Sequence, residues 1–163
     1  MSEPLWALDA VTLRDLLRKG DIRPQDALNS VAARVDAVNP AVNALPTLCF
    51  DRARERLDEA GPLTGTRLAG IPVPIKDSYP VAGVRTTFGS RVYENHVPYR
   101  SDFLVEAIGT SGGVVFAKSN TPEFEAGANT FNEVFGRTLN PFDLTRSAAG
   151  SSGGAAVSVA TGM

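Results

Sequence analysis

The chain has 163 residues, 43% of them apolar and 21% charged, with a formal net charge of −2. That length and balance fit one ordinary globular domain and argue against disorder. Acidic and basic residues are scattered, so no basic stripe is available to neutralise a phosphate backbone, and nucleic acid is not an expected partner.

Met1 to Lys19 carries Glu3, Asp9, Arg14 and Asp15 among its apolar residues and lacks the basic start and unbroken apolar core of a signal peptide. Within it Val11, Leu13, Leu16 and Leu17 share a helical face, Thr12 with Asp15 resembles a capping box, and Gly20 suits the stop. A second amphipathic helix starts near Pro24, with Ala27, Leu28, Val31, Val35 and Val38 at helical spacing, and is expected to break at Asn39-Pro40. Ala44 to Phe50 reads as a strand, Asp51 to Ala60 as a charged helix with a solvated face, and Gly61 to Gly65 as a loop. Cys49 is the single cysteine, which excludes an internal disulfide and a cysteine-rich zinc cage and suits a reducing, cytoplasmic setting.

Leu68 to Ile75 is an almost unbroken apolar run containing Pro72 and Pro74. It predicts a buried strand near a sheet edge, because proline cannot donate to a ladder. His96, the single histidine, sits in the polar segment Tyr93 to Tyr99, which reads as a solvated surface loop. A metal site built on several imidazoles is therefore excluded, no metal is expected, and a Ser-His-Asp triad lacks a suitable base. Asp102 to Ile108 has helical spacing, Thr110 to Gly113 ends it, and Val114 to Ala117 is a short buried strand. Helix followed by strand argues for an α/β layered fold. The glycine-rich stretch Ala148 to Gly154 then leads into a helix over Ala155 to Thr161, and no run approaches the length of a membrane span.

Two features bear chemistry. Lys76 closes the apolar run, where loss of water disfavours an ammonium and brings the neutral amine, a competent general base, within reach. Taken alone it also fits a strand-end lysine that snorkels to water, paired with Asp77. In the segment Gly150-Ser151-Ser152-Gly153-Gly154, glycines around two hydroxyls permit strained backbone and close approach to a ligand, and the next helix offers N–H groups to a developing negative charge. The segment lacks the Gly-Lys-Ser/Thr ending of a phosphate loop, the G-x-G-x-x-G of a dinucleotide site and the G-x-S-x-G of a nucleophile elbow. A plain loop remains the alternative. Joined, the two features fit a serine hydrolase that uses lysine in place of histidine.

Four ordered segments make the likeness specific. Ala69-Gly70-Ile71-Pro72-Val73-Pro74-Ile75-Lys76-Asp77 resembles the lysine-bearing strand of the amidase-signature family. Ala117-Lys118-Ser119-Asn120-Thr121-Pro122-Glu123-Phe124 and Phe135-Gly136-Arg137-Thr138-Leu139-Asn140-Pro141-Phe142-Asp143 resemble its next two motifs, and the Gly-Ser-Ser-Gly-Gly loop follows them. The likeness runs from about Leu68 to Met163. It implies the N-terminal part of an amidase-signature fold, α/β with a mixed sheet and helices on both faces. Residues 1–66 would form the N-terminal helical region and 67–163 the start of an incomplete core.

The resemblance also implies roles. Lys76 corresponds to the catalytic lysine, and Ser151 to the bridging serine, which in the family is joined to a neighbour through a cis peptide bond. Gly150, Ser152, Gly153 and Gly154 would support the loop. Thr121 to Asn132 would border the pocket for a small-molecule amide, with Glu125 facing either ligand or solvent. No cofactor is needed. The implied reaction is hydrolysis of carbon–nitrogen bonds of linear amides through an acyl-serine. Ala149 departs from the glycine often found there. The family's attacking serine lies a couple of dozen residues beyond the bridging one, past Met163, so this chain alone is expected to be inactive. The alternative is a non-catalytic truncated or split subunit that binds a complementing partner. A homo-oligomer is compatible with the sequence, since unpaired apolar edges invite self-association.

Overall fold

The structure is a computed structural model that describes residues 3–163; Met1 and Ser2 of the N-terminal stretch lie outside the described residues. Helices α1 (Ala10–Lys19), α2 (Pro24–Val42) and α3 (Phe50–Glu59) come first, with the short strand β1 (Thr47–Leu48) between the last two. Strand β2 (Pro72–Lys76), helix α4 (Phe103–Thr110) and strand β3 (Val114–Ser119) follow. Two small hairpins, β4 (Phe131–Asn132) with β5 (Gly136–Arg137) and β6 (Leu139–Asn140) with β7 (Asp143–Ser147), lead to α5 (Gly153–Thr161).

Strand β3 is central because every one of its residues is buried, the signature of a strand covered on both faces. It pairs in parallel with β2 and antiparallel with β1, in the order β1-β3-β2. The sheet is therefore mixed, and proline-bearing β2 takes an edge among the described strands, as Pro72 and Pro74 require. On one face Leu28, Val31 and Val35 of α2 and Ala53 and Leu57 of α3 pack with Phe116 and with Val157 of α5. Phe50 stacks on Phe116 with ring centroids 5.2 Å apart. On the other face Val73, Ile75 and Val115 meet Val105 and Ile108 of α4 and the loop residues Val81 and Val84. The first of these cores joins residues from both sides of position 66.

The pairing of β2 with β3 slips between Val73 and Pro74: Val73 lies opposite Val115 but Pro74 lies opposite Ala117. Phe116 is left unopposed, a bulge that reverses the in–out alternation along β3. Lys118 consequently projects to the α4 side, into the loop after β2. Along β2 the alternation is unbroken. Val73, Ile75 and Asp77 share the α4 side, and Lys76 projects to the opposite one, toward the approach to α5.

Several local expectations need correction. Helix α1 is capped by Asp9, whose carboxylate accepts from the N–H groups of Val11 and Thr12, and not by a Thr12–Asp15 box. Helix α2 does not break at Asn39-Pro40 but runs to Val42. Its last turn is held by Asn43 N–H on the Asn39 carbonyl (2.8 Å), and the Asn39 side chain bonds Ala44 and Leu45 beyond it. The strand expected over Ala44 to Phe50 shrinks to Thr47–Leu48 because Phe50 already opens α3. Residues 68–71 are a turn ahead of β2, with Ala69 and Gly70 at positive φ. His96 lies in the expected surface loop but is only partly exposed, since it stacks on Phe88 with Tyr93 edge-on.

Candidate active site

Lys76 is the last residue of β2, and the chain turns sharply after it, with Tyr79 N–H on the Lys76 carbonyl at 3.0 Å. Its side chain is 12% exposed. The ammonium nitrogen donates to Ser151 Oγ at 2.9 Å and lies 3.1 Å from Glu125 Oε1. Ser78, two residues on, donates from its hydroxyl to the same Glu125 oxygen. Three residues singled out in the sequence, at positions 76, 125 and 151, thus meet around one nitrogen. The Ser78 hydroxyl first and Lys76 second hold the Glu125 carboxyl below the usual carboxylate range. Asp77 is not the partner of Lys76. Consecutive strand residues point to opposite faces, and Asp77 is turned into the core.

The loop that presents Ser151 is held from below. The Gly150–Ser151 peptide is cis, and Thr121 Oγ1 donates to the Ser151 carbonyl at 3.3 Å. Buried Thr130 braces the loop twice: its N–H bonds the Ala149 carbonyl and its Oγ1 accepts from Gly153 N–H, both at 2.9 Å. That second bond uses one of the N–H groups at the start of α5, so Gly153 is spent on structure and not on a ligand. A Cβ at Gly154 would lie 2.4 Å from Asn120 N, and one at Gly150 would lie 3.0 Å from the Asn129 carbonyl carbon. The first contact leaves no room for any side chain. Ser152 is exposed and its hydroxyl makes no capping bond; its contribution runs through its carbonyl, which accepts from Ala156 N–H at 2.9 Å.

Sequence reasoning did not assign the polar layer beneath this loop. Asn120, fully buried, donates to the Gly136 carbonyl and Thr138 Oγ1 and accepts from Thr121 N–H and Asn132 Nδ2. Asn132 also donates to the Thr121 carbonyl, and its Oδ1 takes the N–H groups of Val134 and Phe135. Thr138 Oγ1 in turn reaches the Asn43 carbonyl at 2.7 Å. Buried amides with all their groups paired fix a loop more firmly than apolar packing, because each broken bond leaves an uncompensated polar atom. The signal was present, since Asn120 and Thr138 belong to the quoted motifs, but spacing alone does not say that they meet.

Lys118, one strand over, has no exposure and lies 3.1 Å from Asp77 Oδ1. It also donates to the Tyr79 carbonyl at 2.9 Å and Thr86 Oγ1 at 2.8 Å, while Asp77 Oδ1 meets it as an ion pair without a hydrogen bond. Burial pushes Lys118 below the ordinary lysine range, with Asp77 opposing the shift. Among the described residues no group of three or more His, Cys, Asp or Glu side chains converges as a metal site would require, and no helix is long and apolar enough to cross a membrane. A cavity of about 610 Å³ lies between Trp6, Arg34 and Met163, away from Lys76.

A model of the family described as Amidase matches residues 26–163. A glutamyl-tRNA(Gln) amidotransferase subunit from Nitratidesulfovibrio vulgaris is 38% identical over 162 residues, 98% of this chain and 33% of that protein. The protein of the same description from Halothermothrix orenii is 40% identical over 158 residues, 97% of this chain and 32% of that one. Among solved structures, 6-aminohexanoate cyclic dimer hydrolase complexed with substrate matches with a TM-score of 0.88 and 31% identity, over 98% of this chain and 33% of that chain. The chain spans about a third of the length of the curated relatives it matches. With the family match reaching across most of its residues and the fold matching a solved member over nearly its whole length, the chain belongs to the amidase family, the amidase-signature enzymes.

Proposed function

We propose that these residues serve an amide hydrolase in which Lys76 and Ser151 form a proton relay. In the reactive form Lys76 has given up one ammonium proton: its lone pair faces Ser151 and accepts the hydroxyl proton while a remaining N–H still meets Glu125, and Ser151 in turn takes the proton of an attacking serine supplied by residues outside 1–163. That serine adds to the amide carbonyl, and the tetrahedral species collapses as ammonia or an amine leaves with a proton. The acyl-serine that remains is cleaved by water. The substrate class is a linear amide carbon–nitrogen bond, and the chemistry requires no cofactor. The observation that carries this reading is the 2.9 Å bond from Lys76 Nζ to Ser151 Oγ across 75 residues of sequence. A lysine whose role was only to reach water would not be 12% exposed and turned onto a loop serine.

The test has two arms. In the protein carrying these residues together with the segment that supplies the nucleophile, Ser151→Ala should cut turnover of a simple primary amide by orders of magnitude with little change in KM. An effect on affinity alone would defeat the relay. The 163-residue chain by itself should not be labelled by a fluorophosphonate serine probe; stoichiometric labelling would mean that the nucleophile lies within it. A second reading, a non-catalytic subunit completed by a partner, draws on the exposed Phe131 and Phe142 of the hairpin region (60% and 85%). It predicts binding without turnover even when the following segment is present.

A further inference from the structure

We propose that Glu125 is a positioning residue that holds Lys76 Nζ against Ser151; the proposal rests on the relay reading above. A lysine carries its ammonium on a flexible four-carbon stem with many rotamers. One hydrogen bond to a serine does not select among them. Here a second anchor is present: Glu125 Oε1, 3.1 Å from Nζ, is the one carboxylate oxygen within ion-pair distance of Lys76 among the described residues. The nearest alternative in sequence, Asp77, is committed to Lys118 and to Thr87, whose N–H and Oγ1 both donate to its Oδ2. Glu123 precedes Glu125 by two residues but is exposed and makes no ion pair among the described residues.

The carboxylate is itself aimed. Ser78 Oγ donates to the oxygen that faces Lys76, so the turn that follows the lysine also takes part in the contact. The backbone that carries Glu125 is unusual: Phe124 and Glu125 both take positive φ, +49° and +63°. Two successive non-glycine residues in that region are uncommon, and such conformations persist only where surrounding structure enforces them. The enforcement is visible. Phe124 N–H bonds the Phe88 carbonyl at 2.8 Å, Glu125 N–H bonds the Pro122 carbonyl at 2.9 Å, and the Phe124 ring sits edge-on to Tyr93. Phe88 N–H bonds the Asp77 carbonyl, which ties the turn back to the residue after Lys76. A carboxylate meant simply for solvent would not need this turn.

Glu125 is 39% exposed, so a direct contact with substrate is the competing role, and the two separate in kinetics. In the complete enzyme, Glu125→Ala and Glu125→Asp both withdraw the oxygen from Nζ. Each should lower kcat tenfold or more with KM within about threefold, as expected when an interaction matters only in the transition state. Glu125→Gln keeps an oxygen at the same reach and should recover kcat to within about threefold of the parent. In a Lys76→Ala background, Glu125→Ala should have no further effect. A rise in KM at unchanged kcat for Glu125→Asp would overturn the proposal in favour of substrate contact. Unchanged kcat and KM would overturn it outright. Should Glu125→Ala not fold, Glu125→Asp decides. If Lys76→Ala itself retains turnover, the relay fails and the positioning role with it; a dead Lys76→Ala with a normal Glu125→Asp refutes only the positioning role.

Discussion

Two lysines on neighbouring strands each lie 3.1 Å from a carboxylate, yet their settings are opposite. Lys118 and Asp77 are both sealed from water: the ammonium donates to the Tyr79 carbonyl and Thr86 Oγ1, Asp77 Oδ2 accepts from Thr87, and Asp77 Oδ1 is held by the charge of Lys118 without a hydrogen bond. Lys76 and Glu125 are 12% and 39% exposed, and the ammonium has two partners, Ser151 and Glu125. A proton passed from Lys118 to Asp77 can only return, because neither group is open to water or to a further acceptor that could carry it away. An open pair can pass a proton to a neighbour and regain it from solvent. The closed pair therefore fixes the turn between β2 and the Thr86–Thr87 loop, and that turn is what delivers Lys76 to the glycine loop. Ion-pair distance alone does not separate structure from chemistry; burial and access to water do.

The largest effect that would break this contrast is on turnover. In the complete enzyme Lys76→Ala should lower kcat by roughly 10² to 10⁴, the usual weight of a general base, while its unfolding free energy moves by less than about 1 kcal/mol, as for other partly exposed pairs. Steady-state kinetics and urea denaturation on the same sample give both numbers. A variant with normal turnover and lost stability would exchange the roles assigned to the two lysines.

Lys118→Ala should show the reverse order of effects. Removing one member of a buried pair leaves Asp77 charged and unpaired, which costs about 3–5 kcal/mol of stability. Asp77→Asn combined with Lys118→Met should cost less than the sum of the single changes, because neither then leaves an isolated charge. Denaturant midpoints for the four proteins of this cycle supply the coupling. Additive costs would mean that the two groups do not act as a pair.

How much of this is legible from the sequence depends on whether the deciding contact is local. Lys76 and Ser151 can be paired on paper because four short motifs in fixed order name them. Pro72 and Pro74 point to an edge, where β2 lies among the described strands, since the missing N–H is a property of the residue itself. Sequence reasoning fails where tertiary geometry decides. The run from Leu68 reads as strand because it is apolar, but apolarity reports burial, and Ala69 and Gly70 at φ +52° and +95° turn the chain there. The Lys118–Asp77 pair is hidden because the bulge at Phe116 reverses which face Lys118 takes, and no spacing rule anticipates a bulge. Asn120, Asn132 and Thr138 converge from separate segments and carry no periodic signal at all.

The departure at Ala149 permits a smaller test, on the loop and not on the lysines. Ala149 sits at φ +55°, where a β-carbon costs an L-residue about 1–2 kcal/mol. Glycine removes that cost but gains freedom in the unfolded chain worth about 0.4–1 kcal/mol. Ala149→Gly should therefore stabilise by about 0.5–1 kcal/mol, read as a higher denaturant midpoint at unchanged slope. Loss of stability would mean that the alanine methyl makes packing contacts worth more than the strain.

The smallest expected effect sharpens the comparison from the acid side. The Glu125 carboxyl is held below its ordinary range, by Ser78 first and Lys76 second. A carboxyl with a depressed native value contributes stability that is complete above its unfolded value, about 4.3 for glutamate, and that disappears as pH falls through the native value. The stability difference between the parent and Glu125→Gln should thus be constant from about pH 7 down to roughly 4.5 and shrink below it. Because Glu125 is partly exposed, added salt should reduce that difference at neutral pH. The buried Asp77–Lys118 pair should show no such salt dependence, since counter-ions do not reach it. Equal salt sensitivity in Glu125→Gln and Lys118→Ala would erase the distinction between an open pair and a closed one.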